Sequence, residues 1–412
     1  MSTVARDVPS IPVPEPDLTP NEIVARAQAL VPMLRAQQDE AEERGFYSEA
    51  VHAEFLKAGF YRITQPRRFG GYEFDLKTYL RAMIAVASGD PGTGWCLQLG
   101  SSHAWIVASH FDLETQAEAF GPDGDFRCPH PAQPSGRIER VEGGFRLSGR
   151  FPYASGVPYC TWALVGAMLD GDPPTPYTLL IPRSDLEMLD DWGGGTMFGL
   201  NSSGSNTIVV EEAFVPERRA RPSEAIFNPT LPTFGTEIHG NPLYTGRAPG
   251  PYHTSLVSPI IGAAKAAVDE FREIIMSKDT TFYPRVPRYQ FHEDQRAYGM
   301  AQARADAAEA IVLSFADQFT EAAQESIDTG VPVSQERDAR WWAMIQQAGG
   351  LAYEAVQEVA LRSTSSSLGA GRPLARYLRD ATTYRQHISS QQGDFAVRNA
   401  AMMLGASEHW LY

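Results

Sequence analysis

Apolar residues recur at helical spacing in the first third of the chain, give way to short β-branched runs, and return to helical spacing after about residue 250. Ile23, Ala27, Leu30, Val31 and Leu34 mark the first amphipathic stretch, one apolar position every three or four residues. Thr19 before Pro20-Asn21-Glu22 signals its start, because threonine caps an orphan N–H and proline suits the first helical position. Further helical patterns cover about 48–58, 74–87 and 91–109, broken by the turn-rich Pro66-Arg67-Arg68-Phe69-Gly70-Gly71. Between about 125 and 235, FRLSGRFPYAS, TWALVGAML, YTLLIP and NTIVVEEAFVP are short, β-branched or aromatic, and bounded by Gly, Pro and Asp. They predict an antiparallel β domain. Four long amphipathic patterns follow, starting at SPIIGAAKAAVDEFREIIM, RAYGMAQARADAAEAIVLSF, WWAMIQQAGGLAYEAVQEVA and GDFAVRNAAMMLGASE, and helices of this length suit a bundle.

The expected fold is therefore α+β, mostly α. A flexible arm over 1–17, carrying Pro12, Pro14 and Pro16 with few apolar anchors, precedes an N-terminal helical domain over 18–124. A central β domain over 125–235 and a C-terminal four-helix bundle over 236–412 complete it. The connection at 225–255, rich in Pro, Gly, Asn and Thr, is too long for a simple link. It reads as either a lid near a site or an arm that reaches a neighbouring subunit.

At 412 residues, the chain exceeds what one core usually supports, in keeping with several packed domains. No apolar run is long enough to cross a bilayer, and the first residues lack the basic and apolar regions of a signal peptide, so the cytoplasm is the expected location. A net charge of −15 argues against nucleic acid, whose affinity for proteins comes largely from Lys and Arg. Cys96, Cys128 and Cys160 form no CxxC pair. They read as small buried hydrophobes, without disulfide or zinc. No HExxH or similar metal spacing occurs, nor a GxGxxG after a strand, nor a GxxxxGKS, so neither a metal site nor a built-in nicotinamide site is expected.

Helical domain, β domain and bundle, in that order, resemble the acyl-CoA dehydrogenase superfamily. RFGGYEFDL, GGFRLSGRFPYASG, GLNSSGSNTIVVEEAFVPERR and RYLRDATTYRQH are similar to that family's segments at corresponding places, and the match runs from about residue 20 to 405. Acyl-CoA dehydrogenases commonly carry a catalytic Glu shortly after the Arg-Asp pair, although some members hold it on an earlier helix. Here the stretch reads Arg385-Gln386-His387-Ile388-Ser389-Ser390, without a carboxylate. Gly94-Trp95 followed by His103-Ala104-Trp105, the loop Tyr153-Ala154-Ser155-Gly156, and His387 resemble instead the flavin-dependent hydroxylases of this fold, including those acting on 4-hydroxyphenylacetate.

This resemblance implies the oxygenase component of a two-component flavin monooxygenase. It would use reduced flavin (FMNH2 or FADH2) and O2, through a flavin hydroperoxide, to hydroxylate a small aromatic, phenolic substrate. With no nicotinamide site, the flavin must come from a separate NAD(P)H:flavin reductase, and homotetramers are usual in the superfamily. Ser155 is placed beside flavin N5, with Tyr153 and Ala154 offering backbone groups and Gly156 allowing close approach to the ring. On residues alone the loop also reads as a strand-to-turn corner in which Ser155 bonds its own backbone.

His103 and His387 are the general acid or base candidates, since imidazole titrates near neutral pH; either also reads as a structural histidine. Trp95 would wall the site or simply pack its helix. Arg288 resembles the bundle arginine that meets the flavin phosphates, and Ser366 and Gly369 lie in the late small-residue loop that would supply backbone N–H groups. Arg127-Cys128-Pro129-His130 stands where phenol hydroxylases of this group often have consecutive serines, which keeps nitrogen or sulfur oxygenation open. The remaining alternatives are an FAD-dependent acyl-CoA dehydrogenase and a relative that has lost its site.

Overall fold

The computed structural model describes residues 8–131, 133–246 and 249–406. Seven helices open the chain: α1 (Pro20–Ala36), α2 (Gln38–Arg44), α3 (Glu49–Ala58), α4 (Leu76–Ala87), α5 (Pro91–Ser101), α6 (Ala104–His110) and α7 (Leu113–Phe120). Thr19 caps α1 with a full capping box to Glu22, and Pro20 takes the first turn, as the residue types dictate. Residues 8–17 are not loose as expected: Ile11 bridges to Phe69 and its N–H donates to the Arg68 carbonyl. Arg68 also donates to the Val8 carbonyl (2.9 Å), Glu15 pairs with Arg26 (2.6 Å), and Val8 and Val13 pack on the cores. The expectation for residues 1–7 lies outside the described residues.

A seven-stranded sheet follows, built among the described residues from β1 (Pro134–Val141), β2 (Gly144–Phe151), β3 (Trp162–Leu169), β4 (Thr175–Pro182), β5 (Glu187–Met188), β6 (Ile208–Pro216) and β7 (Ala220–Pro222). Its order is β5-β6-β2-β1-β3-β4-β7. The domain is mixed rather than purely antiparallel, because β3 runs parallel to β1. After leaving β2 the chain must pass over the end of β1 to reach β3, and residues 152–161 make that passage. Trp162, Leu164 and Leu180 pack towards α6 and α7, while Ala163, Val165 and Ile181 belong to a second core on the other face. This alternation is the two-residue period of a strand. Burial on both faces explains why TWALVGAML reads as one apolar run.

Helices α8 (Ser223–Phe227) and α9 (Phe234–His239) lead to α10 (Pro249–Ser277), α11 (His292–Thr329) and α12 (Gln335–Arg362), then α13 (Pro373–Arg385) and α14 (Gln392–Met403). Three long helices pack mutually, and the fourth member of the bundle is α13, which lies on α10 and α12 through Leu374, Tyr377, Ala381 and Tyr384. The sequence pattern had pointed to α14. That helix rests on α12 and buries none of its residues.

The described part of the 225–255 connection packs on its own chain. Leu243 accepts from the Trp105 indole, the Tyr244 hydroxyl donates to the Thr64 carbonyl (3.1 Å), and Asn241 donates to Glu73 (2.9 Å).

Candidate active site

Helix α5 organises the site. Asp90 caps it by accepting from the Thr93 N–H (3.0 Å), and the same carboxylate oxygen accepts from the Ser202 hydroxyl (2.7 Å). The helix start is thereby tied to the loop at 199–206. Asp380 on α13 accepts from the Leu200 N–H (2.6 Å) and fixes that loop from the other side. Burial, with Asp90 nearby, pushes the Asp380 carboxyl up to about 8.

Residues 153–160 lie between α5 and this loop. Gly156 adopts φ +89°, and a Cβ there would sit 2.6 Å from the Gly100 nitrogen and 2.8 Å from the Cys96 carbonyl oxygen. Its absence of a side chain therefore allows close approach to α5. Ala154 and Gly156 donate their N–H groups to the carbonyls of Asn206 (3.2 Å) and Gly204 (3.0 Å). The Ala154 N–H, one of the backbone groups expected to face a ligand, is thus engaged within the protein. These residues position Ser155. Tyr153, at φ +58°, is exposed and meets Trp192 edge-on.

Ser155 does not bond its own backbone through its side chain. Its Oγ accepts from the Trp95 indole N–H (3.1 Å) and lies 2.6 Å from Ser205 Oγ, which lies 2.6 Å from Ser203 Oγ. Trp95, Ser155, Ser203 and Ser205 are all more than nine-tenths buried. The Trp95 ring meets His387 edge-on at 5.3 Å. Three residues far apart in sequence, Trp95, Ser155 and His387, thus form one cluster.

The hydrogen bonds fix the tautomer of each histidine. His103 Nδ1 faces two carbonyls, Leu99 (2.9 Å) and Cys128 (2.6 Å). Since carbonyls only accept, Nδ1 carries the proton and Nε2 a bare lone pair. That Nε2 is buried and has no protein partner. Burial pushes the His103 imidazole down to about 4, so it is neutral at ordinary pH. At His387 the order is reversed. Its Nδ1 accepts from the Ser389 N–H (3.2 Å), so Nε2 carries the proton, and burial also lowers this group to about 4.

His103 belongs to a second cluster, at the turn between α5 and α6, where it is the N-cap of α6. The His130 ring meets it edge-on at 5.4 Å, and His130 Nδ1 is hydrogen-bonded to the Tyr252 hydroxyl of α10. His103, Tyr252, Ser102, Trp105 and Leu243 line a small cavity of about 30 Å³, room for a single water. Tyr252 was not legible as a site residue, since it lies in no motif, and His130 stood out only as part of Arg127-Cys128-Pro129-His130. Ser203 and Ser205 were visible only as the serine-rich GLNSSGSN.

Arg288 and the late loop sit together at one end of the bundle. Arg288 Nε and Nη2 donate to the Asp294 carboxylate (2.9 and 3.0 Å), and Nη2 also to the Arg362 carbonyl (3.0 Å). Its Nη1 is buried without a protein partner. Arg362 pairs with the same aspartate (2.5 Å), which leaves one net positive charge. Ser366 and Gly369 follow in an exposed turn. Among the described residues, the hydrogen bonds of Arg288 and Ser366 stay within this end of the bundle and do not reach the Trp95 cluster. No group of three His, Cys, Asp or Glu among the described residues could hold a metal.

Residues 254–392 match the family model described as acyl-CoA dehydrogenase, C-terminal domain. The chain is 28% identical over 399 residues to the flavin-dependent monooxygenase, oxygenase subunit HsaA, of Rhodococcus jostii, covering 94% of this chain and 98% of that protein. It is 26% identical over 395 residues to the FADH(2)-dependent resorcinol hydroxylase, oxygenase component, of a Rhizobium species, covering 93% and 94%. The crystal structure of 3-HSA hydroxylase from Rhodococcus sp. RHA1 superposes with a TM-score of 0.84 at 27% identity, covering 94% of this chain and 97% of that one.

Proposed function

We propose, from the premise that the chain belongs to the acyl-CoA dehydrogenase superfamily and is similar to its flavin-dependent hydroxylases, that it is the oxygenase component of a two-component monooxygenase. Its substrates are reduced flavin, dioxygen and a small phenol. The observation that carries this reading is the pair of neutral histidines held in opposite tautomers, His103 as acceptor and His387 as donor. An acyl-CoA dehydrogenase would need a carboxylate base. Around His387 the hydrogen-bonded side chains are Ser389, Ser390, Gln346, Gln392 and Arg385, and none is an acid.

A flavin fits the residues present. Ser155 Oγ has three hydrogen-bonding positions, and the protein uses two of them, leaving one for the N5 edge of the ring. The Arg288 Nη1 has no protein partner and suits a phosphate. When bound, the flavin supplies the activation of dioxygen. The chain's residues supply the rest. Trp95 walls the site with Ser155, and His387 Nε2–H donates a hydrogen bond. His103 Nε2, beside a cavity that now has room for one water, would accept one from the phenol hydroxyl once the side chains lining that cavity move apart. With a conjugate acid near 4 against a phenol near 10, His103 holds that proton and does not remove it. A substrate with an O–H donor matches this lone pair; a bare sulfide does not, which favours the phenol over sulfur oxygenation.

Arg288, with the turn carrying Ser366 and Gly369, would receive the flavin phosphates across a subunit interface of a homotetramer. A separate NAD(P)H:flavin reductase would deliver the flavin, in the cytoplasm. Anaerobic titration with FMNH2 and FADH2 distinguishes the two cofactors.

Mixing the protein with a flavin reductase, NADH and a panel of phenols tests the reading. Hydroxylated product should account for most of the NADH consumed, and Ser155→Ala should divert it to hydrogen peroxide. Free peroxide alone, with every phenol offered to the wild type, overturns the proposal. A yellow protein that oxidises acyl-CoA with a dye acceptor replaces it with a dehydrogenase.

A further inference from the structure

We infer that Ser205 and Ser203 are positioning residues that let Ser155 switch between accepting and donating a hydrogen bond as the redox state of its ligand changes. The inference rests on the reading that flavin N5 meets Ser155. Three hydroxyls, at 155, 205 and 203, are joined by two O···O contacts of 2.6 Å each, and either oxygen can donate in both contacts. Trp95 closes one end with an indole N–H that can only donate, 3.1 Å from Ser155 Oγ. Each hydroxyl has a single proton, which limits the arrangements.

If Ser155 donates to Ser205, its proton is used and one lone pair accepts from Trp95. The other lone pair then faces the ligand as an acceptor. If Ser203 donates to Ser205 and Ser205 to Ser155, both lone pairs are filled and the Ser155 proton faces the ligand as a donor. Changing between the two needs only rotation of hydroxyl hydrogens. Reduced flavin carries a proton on N5 and needs an acceptor; oxidised flavin has a lone pair there and needs a donor. Ser205 is the residue that makes both available.

Its removal has an asymmetric effect. Without Ser205, an oxidised ligand still receives the Ser155 proton, and only a spare lone pair goes unused. With a reduced ligand the Ser155 proton is left buried without an acceptor, and an unsatisfied buried donor is the costlier defect. Ser205→Ala should therefore weaken reduced flavin about tenfold relative to oxidised flavin, equivalent to a midpoint potential about 30 mV lower for a two-electron couple. Ser203→Ala should act in the same direction to a smaller extent, and Ser205→Thr, which keeps the hydroxyl, should restore the wild-type ratio.

The experiment is anaerobic titration of wild type, Ser205→Ala, Ser203→Ala, Ser205→Thr and Ser155→Ala with each flavin in both redox states. The predicted ordering of affinity ratios supports the relay. An unchanged ratio in Ser205→Ala and Ser203→Ala, with a shifted one in Ser155→Ala, overturns the relay and leaves the flavin site standing. An unchanged ratio in all four variants overturns the placement of N5 at Ser155, and the relay with it.

Discussion

One side-chain type does opposite work at residues 103 and 387, and the backbone decides which. Two carbonyls face His103 Nδ1, whereas an N–H faces His387 Nδ1. Asparagine carries an amide donor near the position of Nδ1 and nothing at Nε2, so His103→Asn should keep the bonds to Leu99 and Cys128. Its kcat/KM should fall about tenfold, the loss of one hydrogen bond to the substrate of roughly 1.4 kcal/mol, while the melting temperature moves by only a few degrees. Steady-state kinetics beside a thermal melt check this; a large loss of stability at unchanged kcat/KM would make His103 a structural residue. The sequence pointed to His103, His387, Ser155 and Trp95 because each stands in a motif. It could not point to Ser205 or Tyr252, which reach their partners across 50 and 122 residues. Such contacts exist only once the chain has folded.

At the scale of elements, the interface between α5 and residues 153–160 is held by glycine. Gly156→Ala would put a Cβ within 2.6 Å of backbone at a φ of +89°. Strain of this kind, with overpacking added, should cost about 2–3 kcal/mol. Urea denaturation should show it as a lower midpoint with an unchanged slope. Strand texture was legible from β-branched runs, but not strand order: nothing in TWALVGAML distinguishes a parallel neighbour from an antiparallel one. Helix α13 escaped for another reason. Leu374, Tyr377, Ala381 and Tyr384 do recur at helical spacing, yet Arg376 and Asp380 share the buried face, and their polarity masks the stripe. Those two polar side chains belong there because Arg376 meets Asp39, Gln38 and Glu42 while Asp380 holds Leu200.

For the whole molecule, buried neutral histidines set the response to acid. Burial lowers His103 and His110 from 6.5 to about 4. Between those values the unfolded chain binds protons that the folded chain refuses, so stability is full above about pH 6.5 and is lost as pH falls towards 4. Each contributes about 3 kcal/mol to that loss. Asp380, pushed up to about 8 by burial, and Asp90, raised by burial, act in the opposite sense, but His52, His239 and His387, lowered likewise to about 4 by burial, add to the two imidazoles and leave a net loss. Denaturation midpoints at pH 7.5 and 4.5 should differ accordingly, and His110→Gln should narrow the gap. The layout of helices, sheet and bundle was readable along the chain, and the resemblance drew site candidates from all three; the contacts that join them were not readable. Trp95 comes from the first part, Ser155 and Ser205 from the second, and His387 from the last. During synthesis, then, a ribosome must release nearly the whole polypeptide before these groups can meet. Until residue 387 has emerged and folded, Trp95 and Ser155 lack the imidazole that completes their cluster.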